Sequence, residues 1–220
     1  MKRIIIIGEG QTEQEFCNEV LQPYFNGIEI TIQNPTIKKT GGGIVNWIAL
    51  KHQIVKYLKS DKSATVSLLI DYYGIKDNHK FPNWIESKKI LNNNKYDAIE
   101  LIEVGMLNDI EVDLRSRFIP YIQLHEFEGL LFSDIDIFKN NFEKSEFKDF
   151  EYLKNTIDNY ANPEEINNGF ETAPSKRLEK IISGYDKIVY GSLLAKEIGL
   201  EKIRAKCPGF DKWIRKLENI

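Results

Sequence analysis

IIIIGEGQTEQEF, residues 4–16, decides the fold. Four consecutive isoleucines make an unbroken β-branched run, the pattern of a strand buried on both faces in a parallel sheet. The carboxyl end of such a strand usually opens on a ligand crevice. Here that end carries Glu9 between two glycines, Gly8 and Gly10, with Glu13 four residues on. Thr12 and Glu15 fit a capping box for a helix over about 12–25, with Phe16, Val20 and Leu21 as its apolar stripe. With Thr12 as the cap, Glu9 has no evident structural duty. Glu13 has one, because a negative charge in the first helical turn is favoured by about 0.3–1 kcal/mol.

Outward from this stretch, "IEITIQ" (28–33) reads as a second strand. "KKTGGG" (38–43) is a flexible loop opening a helix over 44–59. "ATVSLLID" (64–71) is a third buried strand, ending in Asp71. The segment from Pro82 to Ile110 is mostly helical, with a break near the asparagines 92–94. "FIPYIQLHEFEGLLF" (118–132) starts as a strand and turns helical from about His125. Strand and helix alternate through residue 132, which predicts an α/β core over 1–133 with a mainly parallel sheet flanked by helices. Residues 134–220 read as short helices, a C-terminal helical extension that caps the core or forms a small second lobe.

With 220 residues, 42% hydrophobic and 29% charged, the chain has globular composition, of about one domain. A net charge of −3 gives no overall basic field for nucleic acid, although metal ions can supply positive charge locally. Cys17 and Cys207 are too few for a disulfide framework and are expected to be buried and reduced. No signal peptide is evident, and no apolar run reaches the roughly 18 residues of a membrane span. A cytoplasmic protein without membrane contact is the expectation.

Three acidic groups fall at predicted strand ends: Glu9 with Glu13, Asp71, and Glu126 with Glu128. A parallel sheet brings such ends to one edge. Converging carboxylates repel unless a cation neutralises them, and hard oxygen donors suit Mg²⁺ or Mn²⁺. Without the ion, at least one of them should have a raised pKa. Asp71 also has a structural explanation, as the first residue of a turn through "DYYG". "HEFEG" is not a zinc-protease motif, because Gly129 stands where a second histidine is needed. On a helix, Glu126 and Glu128 would point about 200° apart, so only one would face a given site. Glu126, nearer the strand end, is the favoured ligand, and His125 is expected to be a hydrogen-bonded structural residue.

Nucleotide-binding patterns fit poorly. "GEGQTE" lacks the third glycine of a dinucleotide fingerprint, and no loop ends in the Gly-Lys-Ser/Thr of a P-loop. "TGGGI" offers at most backbone N–H groups to a phosphate at a helix start. No serine or cysteine has a nucleophile context. Lys176 and Arg177 in "APSKRLEKII", with Tyr185 and Lys187 in "GYDKIVYG", are candidates to hold a phosphodiester. Cations spaced along amphipathic helices are equally ordinary solvated surface.

A hydrophobic strand ending in Glu9, followed by a strand ending in Asp71, resembles the Toprim domain of topoisomerases, primases and the overcoming-lysogenization-defect nucleases. "EGQTE", "DYYG", "RFIPYIQLHEFEGLLF" and "APSKR" together resemble a stand-alone bacterial Toprim-like family of uncharacterised function, over nearly the whole chain. The resemblance implies a sheet of about four parallel strands between helices and a site for one or two Mg²⁺ or Mn²⁺ ions. Glu9 and Asp71 match metal-binding positions, and Glu13 resembles the second glutamate of the nuclease subset. One departure matters. The usual Asp-x-Asp is Asp71-Tyr72-Tyr73, so Glu126 or Glu128 must replace the second aspartate or the site is weakened. The resemblance also implies prophage or anti-phage loci and an SMC-like or ABC-like ATPase partner.

Two functions follow as expectations. The first is a metal-dependent nuclease or related phosphotransfer enzyme acting on DNA or RNA, with Glu9, Asp71 and Lys176 as catalytic residues. The second is a catalytically silent partner or regulator of an ATPase. For the first, Glu9, Asp71 and a carboxylate from 126 or 128 must meet at one sheet edge.

Overall fold

The computed structural model describes residues 2–38, 43–167 and 169–220. The glycine loop expected over 38–43, with its backbone cradle for a phosphate, falls mainly on residues 39–42, outside the described residues.

The isoleucine run forms β1 (Lys2–Gly8), and its side chains alternate between two separate cores. Ile4 and Ile6 enter one, Ile5 and Ile7 the other. That two-residue period is what a strand buried on both faces requires. The other strands are β2 (Ile30–Gln33), β3 (Ala64–Asp71), β4 (Phe118–Ile119) and β5 (Ile122–Gln123). The order is β2-β1-β3-β4, with β5 also on β3, and every ladder is parallel. Val66 stands opposite Phe118 and Ile70 opposite Ile122, so β4 and β5 are two pieces of one edge strand. Pro120 lies between them and has no N–H to give the ladder.

The Ile4/Ile6 face lies under α1 (Gln11–Phe16) and α2 (Gln22–Gly27), which a π turn over Cys17–Leu21 joins. The Ile5/Ile7 face is covered by α3 (Trp47–Ser60), α4 (Trp84–Ile90) and α5 (Lys95–Asp109). Asn46 caps α3 by accepting from the Ala49 N–H at 3.0 Å, and Asn94 caps α5 through the Asp97 N–H. The break expected at 92–94 therefore ends at a cap. Among the described residues six further α-helices follow: α6 (Ile135–Asn141), α7 (Phe150–Asn159), α8 (Pro174–Ile181), α9 (Lys187–Ile198), α10 (Leu200–Lys206) and α11 (Pro208–Glu218). All contribute to the core that holds Ile4 and Ile6, so residues 134–220 cover a face of the sheet.

One segment departs from expectation. The helix foreseen from His125 does not form there. His125 adopts a left-handed backbone (φ 65°) and Glu126 is extended. A 3₁₀ helix then runs over Phe127–Ser133. Among the described residues, no helix is long and apolar enough to cross a membrane.

The C-terminal helices are tied to the sheet through Trp213. Its ring stacks on Tyr121 at 4.4 Å, and its indole N–H donates to Ser67 Oγ at 2.9 Å. Ser67 Oγ in turn donates to the Ile119 carbonyl at 2.7 Å, linking α11, β3 and β4. Truncating this buried ring leaves a large cavity and an unmatched Ser67. Trp213→Ala should therefore lower the unfolding free energy by about 3–5 kcal/mol. Urea denaturation followed by circular dichroism measures it, and a loss under about 1 kcal/mol would show that α11 is not anchored here.

Candidate functional site

Beyond Gly8 the backbone stays in sheet register, and the Glu9 N–H donates to the Leu69 carbonyl at 3.2 Å. Glu9 is thus held beside the end of β3, where Asp71 stands. The helix that follows starts one residue before the expected Thr12–Glu15 box. Gly10 is its N-cap, and Glu13 Oε2 accepts from the Gly10 N–H at 2.8 Å. Gly8 has no Cβ because one there would lie 3.1 Å from that of Glu13. The two glycines bring Glu13 back over the strand end, which leaves Glu9 free to point elsewhere.

Glu9 points into a cleft of about 510 Å³ at the carboxyl edge of the sheet. Asp71 and Glu126 share this cleft, and Lys76, Lys176 and Lys187 supply cations around it. Each carboxylate is oriented by a main-chain N–H. Glu9 Oε2 accepts from Asp71 N at 3.3 Å, Asp71 Oδ1 from Phe127 N at 2.9 Å, and Glu126 Oε2 from Ser175 N at 3.0 Å. These three bonds connect β1, β3, the 127–133 turn and the start of α8. The second oxygens, Glu9 Oε1, Asp71 Oδ2 and Glu126 Oε1, have no donor among the described residues. Asp71 does not cap the Tyr72–Gly74 turn with its side chain; its carboxylate is committed to Phe127 instead.

Glu13 and Glu128 lie behind the cleft rather than in its lining. Both are buried, and Glu128 Oε1 sits 3.8 Å from Lys187 Nζ. Because Glu126 is extended while Glu128 is in the first 3₁₀ turn, their side chains take different tasks. Lys176 is partly exposed and paired 2.8 Å from both oxygens of Glu179. Two further sequence candidates are absent from the cleft lining. Arg177 is buried among α7 and α8, donating to the Thr172 carbonyl and to Thr156 Oγ1. The Tyr185 hydroxyl is buried without a partner among the described residues, and its ring stacks on Tyr190 at 5.9 Å. As contacts for a phosphodiester in this cleft, both are corrected: one faces away along its helix and the other is packed under α9.

Several site features escaped the sequence reading. Gly74 is one: a Cβ there would fall 2.6 Å from Ile44 and 2.9 Å from Glu9 Oε2, so only glycine lets the carboxylate lie against this turn. Lys76 and His79 also line the cleft, and their place just after the third strand was an available signal. His125 is buried, with Nδ1 facing Asn167 Nδ2 at 3.3 Å, Nε2 without a partner among the described residues, and its ring beside Tyr73 at 5.4 Å. Its left-handed backbone is unusual for a residue with a Cβ and marks local strain where the chain turns into Glu126. Burial pushes its pKa down to about 4, so it is neutral.

The electrostatics follow from crowding. Burial, then the Glu13 charge, lifts the Glu9 pKa to about 7. Burial lifts Glu13 as well, and it raises Asp71 well above its usual range, with Glu9, Glu13, Glu128 and Glu126 adding to the effect. Glu128 rises to about 7 through burial, with Lys187 opposing and Glu126 adding. Lys187 loses by partial burial but is raised on balance by Glu128, Glu13, Asp71 and Glu9. Among the described residues, no group of three His, Cys, Asp or Glu side chains is set as a metal-ligand cage. The chemistry of the donors still suits a hard divalent cation: unshared carboxylate oxygens, held by main-chain N–H groups, with excess negative charge. Magnesium is commonly bound by one or two carboxylates together with water and substrate phosphate, so a full protein cage is not required.

The sequence model of a family described as Domain of unknown function (DUF4276) matches residues 8–218. No curated protein matches the chain, and no solved structure does.

The raised Glu9 pKa has a consequence for stability. The folded state holds the Glu9 proton up to about pH 7, whereas the unfolded chain releases it near the ordinary glutamate value of 4.5. Glu9 therefore costs nothing below about pH 4, and its cost grows as pH rises through that window. In chelator, Glu9→Gln should raise the unfolding free energy by about 1–2 kcal/mol at about pH 8 and leave it nearly unchanged at about pH 4. Urea titrations of both proteins at the two pH values test this. A variant less stable than wild type at the higher pH would make Glu9 a structural residue.

Proposed function

The chain belongs to the DUF4276 family, since the match covers nearly all of it, and we propose that it is a divalent-metal-dependent nuclease or related phosphotransfer enzyme acting on nucleic acid. One observation carries this reading: Glu9, Asp71 and Glu126 share a cleft whose surrounding cations are lysines. The resemblance to Toprim nucleases points the same way, with Glu126 supplying the carboxylate that Tyr73 does not.

In this reading Glu9 and Asp71 hold a Mg²⁺ or Mn²⁺ ion through their unshared oxygens, and Glu126 completes the acidic side. Glu13 and Glu128, behind them, keep the local potential negative and leave room for a second ion. When bound, such an ion supplies Lewis-acid stabilisation of charge developing on a phosphodiester and lowers the pKa of an attacking water. Lys176 exchanges its exposed Glu179 partner for a phosphate oxygen at little cost, because surface ion pairs contribute only about 0–1 kcal/mol. Lys187, already drawn to the acidic cluster, balances charge when the ion is absent. A cytoplasmic setting fits, since Cys17 and Cys207 are both free and buried.

A second reading, a catalytically silent partner of an ATPase, draws on Tyr73 in place of the second aspartate. One set of measurements separates the two. Wild type should cleave DNA or RNA oligonucleotides only with Mn²⁺ or Mg²⁺, and millimolar ion should raise its melting temperature in proportion to RT ln(1 + [L]/Kd). Glu9→Gln should abolish that rise and lower cleavage by at least about a hundredfold. Wild type without ion-dependent stabilisation or cleavage supports the silent partner, and cleavage that survives Glu9→Gln removes Glu9 from the chemistry.

A further inference from the structure

Arg177 lies outside the acidic cleft, yet its surroundings are unusual for a structural arginine. The residue is only 5% exposed. Charged side chains are rarely buried to that degree unless an opposite charge accompanies them. Among the described residues the guanidinium has no carboxylate partner. Its Nε donates to the Thr172 carbonyl at 2.7 Å and Nη1 to Thr156 Oγ1 at 3.1 Å. Nη2 has no acceptor among the described residues. The rings of Tyr152 and Tyr160 flank the group, with its central carbon 5.3 Å and 5.7 Å from their centroids. These aromatic faces stabilise a cation but accept no strong hydrogen bond in its plane.

A second cavity of about 400 Å³ opens at this point, between α7 and α8, and Arg177, Asn155 and Asn159 are among its lining. The two asparagines stand one helical turn apart on α7 and line the same space as the guanidinium with side-chain amides, each of which carries N–H donors. A pre-oriented guanidinium fork with unused N–H groups, amide donors beside it and no protein anion is the arrangement that binds a carboxylate or phosphate in two-point fashion. We propose that this cavity is an oxyanion-binding site, separate from the acidic cleft, that takes a phosphate or carboxylate group on Arg177. The site does not depend on the nuclease reading. It sits on the same helix as Ser175 and Lys176, whose side of α8 lines the cleft, so two faces of one short helix serve two pockets.

The test uses the full chain with sodium phosphate and sodium acetate as probes, against sodium chloride at equal ionic strength. Binding is read by isothermal titration calorimetry. Arg177→Lys removes the fork but disturbs a buried residue. The deciding variant is therefore Asn155→Asp, at an exposed position on α7, which sets a negative charge at the cavity without touching the core. Wild type should bind phosphate or acetate saturably, and Asn155→Asp should weaken that binding by at least about tenfold through charge repulsion. Glu9→Gln should leave it unchanged, so failure of the cleft assignment and failure of this one are distinguishable. A parallel titration with a short single-stranded oligonucleotide identifies the source. If Asn155→Asp weakens that too, the oxyanion is a backbone phosphate; if only the free anions are affected, it is a small-molecule ligand. Absence of saturable anion binding in wild type, or undiminished binding in Asn155→Asp, overturns the proposal and leaves Arg177 as a packing residue held by its two tyrosines.

Discussion

The cost of burying and crowding carboxylates at one sheet edge is the constraint around which this molecule is arranged. Glu9, Asp71 and Glu126 share one cleft, and Glu13 and Glu128 are buried directly behind it. Two like charges about 4 Å apart repel by about 4 kcal/mol at the effective dielectric near a protein surface. A hydrogen bond to a charged group returns about 1.5–3 kcal/mol. One main-chain N–H per carboxylate therefore orients each group but does not offset both burial and repulsion, and the raised pKa values of Glu9, Asp71 and Glu128 reflect burial first and neighbouring charge second. Here Lys187 is the cation drawn into the cluster, 3.8 Å from Glu128.

Much of the neighbouring backbone serves to keep this arrangement in place. Gly8 admits Glu13, Gly74 admits the Glu9 carboxylate, and the left-handed His125 turns the chain so that Glu126 and Phe127 meet the end of β3. Two apolar cores, one on each face of the sheet, hold the strand ends in register. The C-terminal helices belong to one of those cores, and α8 supplies both the Ser175 N–H that orients Glu126 and the wall of a second cavity. Strain and repulsion at the sheet edge are thus supported by burial elsewhere.

The parallel sheet was legible in the sequence because Ile4–Ile7 is wholly apolar and Ala64–Ile70 carries no charge and only the small polar Thr65 and Ser67, a strong signal for strands covered on both sides. Glu9 and Asp71 were legible for the same reason, as the first charges after such runs. Other parts were not. Pro120 splits the edge strand, and the 3₁₀ turn after His125 follows from how Phe127 reaches Asp71, a contact across 56 positions that no local pattern carries. The helix cap fell on Gly10 instead of Thr12 because the Glu13 side chain satisfies the Gly10 N–H directly. Arg177 looked like a partner for the cleft because it adjoins Lys176 in sequence. Neighbouring positions on a helix point about 100° apart, and that rotation sends Arg177 into the tyrosine pair instead.

The central claim is that the surplus negative charge at the sheet edge is a cation site. Anomalous diffraction from crystals soaked in Mn²⁺ at about pH 8 tests it most directly. The account predicts a peak bonded at about 2.0–2.6 Å to Glu9 and Asp71 through the oxygens that the main chain leaves unused. A cleft without a peak at saturating Mn²⁺, with Glu9 and Asp71 still hydrogen-bonded only to Asp71 N and Phe127 N, would contradict it.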